Sequence, residues 1–389
     1  FQKSLSRRFD LQANVKYAYD YMNYVNPDTT LMLIDNTFKQ QEVYASVASK
    51  YAVNRVWDIA LSADMQYNVL HSNMDGFVFP RRLTTLVAVA TALDLGKVKI
   101  QSSLLATWVR ERIRSGNTAQ EDSAKAAPDK REFTPAVFLS YKPFKRHDFN
   151  IRAFYKQIFR MPTFNDLYYT DIGNIALRPE FTHQYNLGMQ YGKTFKRGWI
   201  SRIDLQADAY YNEVTDKIVA VPKGNGQYRW MMMNLGYVEI RGIDASSTTE
   251  FRLPWDILLN LRLTYTYQKA QDFTKRKSDV LQNLTYGGQI PYIPWHSGSV
   301  IAGIHWRSWQ LNYSFIYVGE RYHSSANIRE DYEQPWYTHD MALIKNFKVK
   351  DTNLRLALEV NNLLAQDYEV VLNYPMPKRN YKLSFTVEI

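Results

Sequence analysis

The 389-residue chain contains no cysteine. That excludes a disulfide framework and any thiolate metal or redox centre. No apolar run approaches 18 residues, so no membrane-spanning helix is encoded. Neither Gly-x-Ser-x-Gly nor His-Glu-x-x-His occurs, and there is no glycine-rich phosphate loop. The usual marks of a serine hydrolase, a zinc peptidase and a nucleotide site are therefore missing, and no enzymatic activity, metal or cofactor is expected. Residues Phe1–Ser4 open no secretory leader pattern, so the chain reads as a mature exported protein or a fragment of one. The net charge is +10. Its Lys and Arg residues are scattered through strands and turns rather than gathered on a basic helix, which argues against nucleic acid as a partner.

What the chain does have is alternation. In 381–389, Tyr381, Leu383, Phe385, Val387 and Ile389 share one face, and the intervening residues from Lys382 to Glu388 are polar. Successive strand side chains point to opposite faces, so this is a strand with one apolar and one wet side. The same reading applies at 57–67, where Trp57, Ile59, Leu61, Ala63, Met65 and Tyr67 oppose Asp58, Ser62, Asp64 and Gln66. It applies again at 202–211 and 353–361. A soluble sandwich also alternates, with its apolar side against a second sheet. Here the opposite face carries charge in strand after strand, with Arg152, Lys156, Asp208, Arg262 and Glu359 among the examples. That suits a polar lumen and a lipid-facing exterior. Aromatic residues make up 15% of the chain, with 29 Tyr, as expected of interfacial girdles. Mean hydropathy of −0.42 is no objection, because half the residues of a barrel strand are polar.

The expected fold is therefore all-β, a transmembrane antiparallel β-barrel. Strands are expected near 9–19, 39–52, 55–69, 83–95, 97–112, 132–142, 147–158, 180–192, 199–220, 228–251, 256–270, 296–306, 309–320, 336–347, 353–361 and 380–389, sixteen in all. Connections alternate between short (such as 53–54 and 307–308) and long (20–38, 70–82, 113–131, 159–179, 221–227, 271–295, 321–335 and 362–379). Placing the C-terminus in the periplasm makes every long connection extracellular, the arrangement of outer-membrane barrels. Long loops are where function concentrates.

Loop 159–179 and its flanks read Phe159-Arg160-Met161-Pro162, then Leu167-Tyr168, then Gly173-Asn174, Leu177 and Pro179-Glu180. This resembles a box of the TonB-dependent outer-membrane receptors. Later segments fit the same family in the same order: Gln184–Tyr191, Asn234-Leu235-Gly236 with Arg241–Asp244, Asn361–Leu364 with Asp367–Glu369, and Tyr374–Arg379. The match covers residues 130–389 well and 1–130 by strand pattern only. Most family members end in Phe or Trp, whereas this chain ends in Ile389.

The resemblance implies a 22-stranded barrel with an N-terminal plug. The present chain, 1–389, would supply its last sixteen strands, with no plug and no TonB-binding segment of its own. A complete sixteen-stranded porin is the competing architecture. The implied function is energised uptake of a scarce nutrient, best cobalamin or a ferric siderophore, with haem as an alternative. The implied partners are that small-molecule nutrient, a TonB-type periplasmic energy-coupling protein acting through a plug, a surface lipoprotein, and outer-membrane lipid. Within the box, Tyr168, Tyr169, Asp171 and Asn174 are expected to face the ligand, since aromatic rings stack on flat ligands and amide or carboxylate groups orient them. Arg160, Pro162, Pro179 and Glu180 are expected to shape the loop instead. Haem receptors with this box carry a His between its halves. Here none lies between Pro162 and Asn174, and His183 follows the box.

Overall fold

The computed structural model describes residues 1–26, 34–115, 128–169, 173–222, 230–274, 285–350 and 352–388. The first strands are β1 (Gln2–Ser6), β2 (Phe9–Asn26), β3 (Ile34–Ala52), β4 (Trp57–Ser72), β5 (Val78–Asp94), β6 (Val98–Ser115), β7 (Lys130–Tyr141) and β8 (Asp148–Arg160). A short helix, α1 (Phe164–Tyr168), precedes β9 (Glu180–Thr194), β10 (Ile200–Pro222), β11 (Trp230–Leu253) and β12 (Ile257–Asp272). Then come β13 (Gly288–Gln289), β14 (His296–Trp306), β15 (Trp309–Val318), β16 (Arg321–Tyr322) and β17 (Tyr332–Glu333). The last strands are β18 (Trp336–Val349), β19 (Thr352–Asn361), β20 (Glu369–Val371), β21 (Tyr374–Pro375) and β22 (Asn380–Glu388). No helix among the described residues is long and apolar enough to cross a membrane.

Eighteen strands belong to one sheet, and β16–β17 and β20–β21 form two small hairpins. The strand pairings are antiparallel, as in β2–β3 and β18–β19. All sixteen expected strands are present. Of the sheet's other two, β1 precedes the first expected strand and β13 lies within the expected loop 271–295. A second correction concerns the connection at 20–38. Strand β2 runs on to Asn26 and β3 begins at Ile34, paired from Phe9↔Tyr51 to Asn26↔Ile34. Asp20, Asn23 and Asn26 interrupt the apolar pattern here, which hid this extension. Its polar residues are used across the hairpin, where Asn23 Nδ2 donates to Asp35 Oδ1 at 3.0 Å. Parts of loops 113–131, 221–227 and 271–295, and Ile389, lie outside the described residues.

The chain divides into two compact units. The first comprises 1–139, 154–183 and 215–235. Its strand registers set Tyr17, Val43, Tyr67 and Leu83 side by side on one face of β2–β5. The first three are exposed. The next row, on the opposite face, is Ala18, Glu42, Asn68, Arg82 and Glu111, spanning β2 to β6.

The second unit comprises 140–153, 184–214 and 236–389. Here Phe251, Leu259, Ile304, Leu311, Leu343, Leu358 and Leu383 form one continuous row over seven strands, from β11 to β22. Leu343, Leu358 and Leu383 are exposed although apolar. The neighbouring row on the other face is Glu250, Asn260, Gly303, Asn312, Ala342, Glu359 and Lys382. Arg152 and Asp208, read from sequence as wet-face charges, pair at 3.1 Å.

Candidate functional site

In the first unit the chain leaving β8 turns inward as a built object rather than a loose loop. Thr163 caps α1: its hydroxyl accepts from Asp166 N at 3.1 Å, and Asp166 Oδ2 accepts from Thr163 N at 2.9 Å. This reciprocal capping box satisfies helix-end donors that would otherwise be unpaired. Arg160 holds the same carboxylate at 3.1 Å and lies 3.6 Å from Glu180. Glu180 in turn accepts from Ile218 N at 3.0 Å. The expectation that Arg160 and Glu180 shape the loop agrees with these bonds.

Gly173 closes the loop on α1. A Cβ there would lie 2.6 Å from Leu167 O and 2.8 Å from Tyr168 N, so only glycine lets the backbones approach this closely. Phe164, Leu167, Tyr168 and Leu177 are buried with Phe38, Leu70, Phe77 and Ile218. The helix therefore sits on an apolar seat.

Beside that seat lies the charged row. Arg82 donates through Nε to Glu111 Oε2 at 2.7 Å and through Nη1 to Pro162 O at 2.6 Å. Its guanidinium also stands 4.9 Å above the Phe164 ring. The Tyr168 hydroxyl donates to the other Glu111 oxygen at 2.5 Å. Glu111 is 1% exposed and Arg82 8%. Desolvation of an ion pair this deep is costly, and the extra hydrogen bonds to both partners offset it. Burial first, and the adjoining Glu111 carboxylate second, push the Tyr168 phenol up from its ordinary range.

Further along the row, Glu42 accepts from Gln66 at 2.6 Å, from Asn68 at 3.1 Å and from Lys16 at 3.1 Å. Gln40, Glu42, Gln66, Asn68 and Arg82 form the polar wall of a cavity of about 630 Å³. Met22, Phe159, Met161 and Phe164 supply its apolar side. A chamber of this size, apolar with a few placed polar groups, has the character of a small-molecule site.

The four residues expected to face a ligand have different surroundings. Tyr168 is buried and its hydroxyl is committed to Glu111. Asn174 donates to Met232 O at 3.0 Å and accepts from Ala176 N at 2.9 Å, which anchors the loop. Tyr169 is half-buried, its ring 5.0 Å from Phe38 and 5.9 Å from Tyr24. Since Phe38 lines the cavity, Tyr169 adjoins it. Burial pushes its phenol up as well. Asp171 lies outside the described residues.

Sequence reasoning missed Arg82, Glu111, Glu42 and Phe38. Each sits on a regular strand, and only the cross-strand register brings them together. His183, the histidine that follows the box, bonds the Tyr155 hydroxyl at 2.9 Å. Among the described residues no cluster of His, Asp and Glu has the geometry to hold a metal ion.

An antiparallel sheet of this extent, with apolar rows exposed on one face and charged rows on the other, is the wall of a transmembrane β-barrel. Residues 1–363 match the family model described as "TonB dependent receptor-like, beta-barrel". The chain belongs to that family.

The vitamin B12 transporter BtuB of Photobacterium profundum is 27% identical over 237 residues, covering 59% of this chain and 33% of that protein. Its namesake in Vibrio vulnificus is 33% identical over 92 residues, covering 24% and 14%. Among solved structures, the unliganded ferric citrate transporter FecA superposes with a TM-score of 0.71 at 12% identity, covering 99% of this chain and 60% of that one. The copper transporter OprC gives 0.71 at 14% identity, covering 98% and 63%. At such identities these likenesses concern the fold alone. The chain spans about a third of the BtuB relative from Photobacterium and about three fifths of these solved chains.

Proposed function

We propose that residues 1–389 are barrel wall of an outer-membrane receptor for energised uptake of a scarce nutrient, with cobalamin or a ferric siderophore as ligand. The observation that carries this reading is the family match over residues 1–363. On this reading a plug and the TonB-type periplasmic partner that acts on it lie outside these residues, and the protein is a transporter rather than an enzyme. The apolar rows then meet outer-membrane lipid. The curated relatives, each named a vitamin B12 transporter, favour cobalamin. The structural neighbours named as a ferric citrate transporter and a siderophore receptor keep the siderophore reading in play. Haem fits less well, because no His occurs between Phe159 and Glu180. The family match favours this reading over a sixteen-stranded porin.

Within this reading the 159–180 loop presents the ligand surface. Tyr169 is its aromatic contact, with Asp171 and Asn174 as the further residues proposed to meet the ligand. Tyr168 holds the loop to Glu111.

The test is equilibrium binding of cobalamin, a ferric siderophore and haem to the full-length receptor, before and after Tyr169→Ala. One ligand should bind the parent tightly and lose about 1 kcal/mol or more on removal of the ring. Tight haem binding, or no response of any ligand in a correctly assembled variant, refutes the assignment.

A further inference from the structure

The apolar face of the second unit is not uniform, and one furrow in it ends on polar groups. On β11, Ala245 and Ser247 lie opposite Tyr265 and Leu263 of β12. With Ala207 of β10 they are small residues on a face otherwise made of bulky ones. Met189, Leu205, Leu263 and Tyr265, all exposed, stand around them. The difference in side-chain size opens a groove of about 440 Å³.

Beyond Tyr265 the same face of β12 turns polar by steps. Side chains on one face recur every second residue, so Tyr267 and then Lys269 follow. His296 of β14 pairs directly with Tyr267. Its Nδ1 lies 2.8 Å from the Tyr265 hydroxyl, and its ring lies 5.1 Å from that of Tyr267. With the phenol donating to Nδ1, the imidazole N–H sits at Nε2. His296 is exposed, and among the described residues Nε2 has no partner.

The charges sit at the end of this series. Lys269 Nζ stands 4.9 Å over the Trp295 ring, and among the described residues no carboxylate pairs with it. Arg241 lies directly across from Lys269 but is engaged by Glu239. Farther along, Glu213 accepts from the Tyr211 hydroxyl. Lys269 is thus the cation that this end of the groove offers. From Leu263 to Lys269 is roughly 20 Å at about 3.4 Å per strand residue. One leaflet of a bilayer, headgroups included, is about as thick.

We propose that this face is a binding site for one phospholipid of the surrounding membrane. An acyl chain lies in the groove over Ala207, Ala245 and Ser247, and the phosphate meets Lys269 and His296 Nε2. The site rests on the reading of the exposed apolar rows as lipid-facing, and it adds to that reading one lipid held in place. The groove supplies apolar contact to the chain, the phenols form the step between hydrocarbon and water, and the ammonium opposes the phosphate charge.

The experiment is native mass spectrometry of the full-length protein, stripped of lipid in detergent micelles. It is titrated with phosphatidylglycerol, with diacylglycerol of the same chains, and with glycerol phosphate. One phosphatidylglycerol should be held about fivefold or more tightly than diacylglycerol, and glycerol phosphate should not bind. Lys269→Gln should weaken phosphatidylglycerol about fivefold and leave diacylglycerol unchanged. Ala245→Trp fills the groove and should remove both lipids, whereas Ala302→Trp, across from Leu261 on the same face but outside the groove, should change neither. Phosphatidylglycerol with a photoreactive chain should label 189–207 and 245–265 in the parent, which keeps the site testable if Ala245→Trp fails to assemble. Equal retention of the two lipids, no effect of Lys269→Gln, or labels spread evenly over the exposed rows overturns the site. Refolding of Leu343→Arg, in the exposed apolar row, and Ala342→Arg, on the other face, separates the two levels. Equal costs there bring down the lipid-facing reading as well, and unequal costs confine the failure to this site.

Discussion

Tyr168→Phe is the sharpest test of the way the 159–180 loop is held. The substitution removes one oxygen and leaves the ring in its apolar seat. What is lost is the bond to Glu111, a carboxylate 1% exposed whose other oxygen is engaged by Arg82. A hydrogen bond to a buried charge contributes about 1.5–3 kcal/mol, and the orphaned acceptor keeps its desolvation penalty. We therefore expect a loss of about 2 kcal/mol, read by chemical denaturation of the full-length protein refolded into micelles. Glu111→Gln should cost more, about 3–5 kcal/mol, because it leaves the buried Arg82 guanidinium without a counter-charge. In the double variant the Tyr168 substitution should cost much less than it does alone, since its charged acceptor is already gone. There is also a pH signature. The raised phenol means that its contribution is complete below the ordinary phenol range, about pH 10, and is lost as pH climbs above it. Ultraviolet titration of the folded parent and of Tyr168→Phe should therefore coincide near pH 10, because Tyr168 does not ionise there. A Tyr168→Phe variant within about 0.5 kcal/mol of the parent would refute the reasoning.

Two further substitutions test other parts of the structure. Leu343→Arg places charge in the exposed apolar row and should cost about 2–4 kcal/mol on refolding into bilayers, whereas Ala342→Arg, one residue away between Asn312 and Glu359, should cost about 1 kcal/mol or less; equal costs would mean that the faces are misassigned. Gly173→Ala drives a methyl group into the Leu167 and Tyr168 backbone and should destabilise the loop by about 1–3 kcal/mol, seen as new protease cleavage within 161–180 and no change in the barrel.

The strands could be read from sequence because a period of two survives any change of neighbour. Leu354, Leu356 and Leu358 declare a face whatever they pair with, and β19 was expected within a residue of where it lies. Strand ends were harder where polarity rises without breaking the strand. Asp20 to Asn26 looks like a loop until Asn23 is seen bonded to Asp35 on the facing strand.

The loop box was legible as a unit, and Arg160 and Glu180 were rightly read as its frame. The positions of Tyr168 and Asn174 within it were not. Whether a Tyr hydroxyl points to solvent or to a buried acid depends on what lies opposite, and Glu111 is separated from Tyr168 by 57 positions in sequence. Arg82 and Glu111 themselves give no local signal, because a charge on the wet face of a strand is ordinary until a second layer covers it.

The row Glu42, Asn68, Arg82, Glu111 also bears on how the strands find one another. Alternation alone tells a strand which side faces out, but it leaves a pairing shifted by two residues equally acceptable, since every side chain keeps its face. Charge removes that ambiguity. Moved by two positions along β6, Arg82 would stand opposite Val109 or Ile113 instead of Glu111. Moved likewise along β4, it would face Gln66 or Leu70 instead of Asn68. The shift along β6 would part the Arg82 guanidinium from the Glu111 carboxylate at a position that α1 covers. The Arg82–Glu111 pair thus favours the observed register of β5 on β6 over its two-residue shifts.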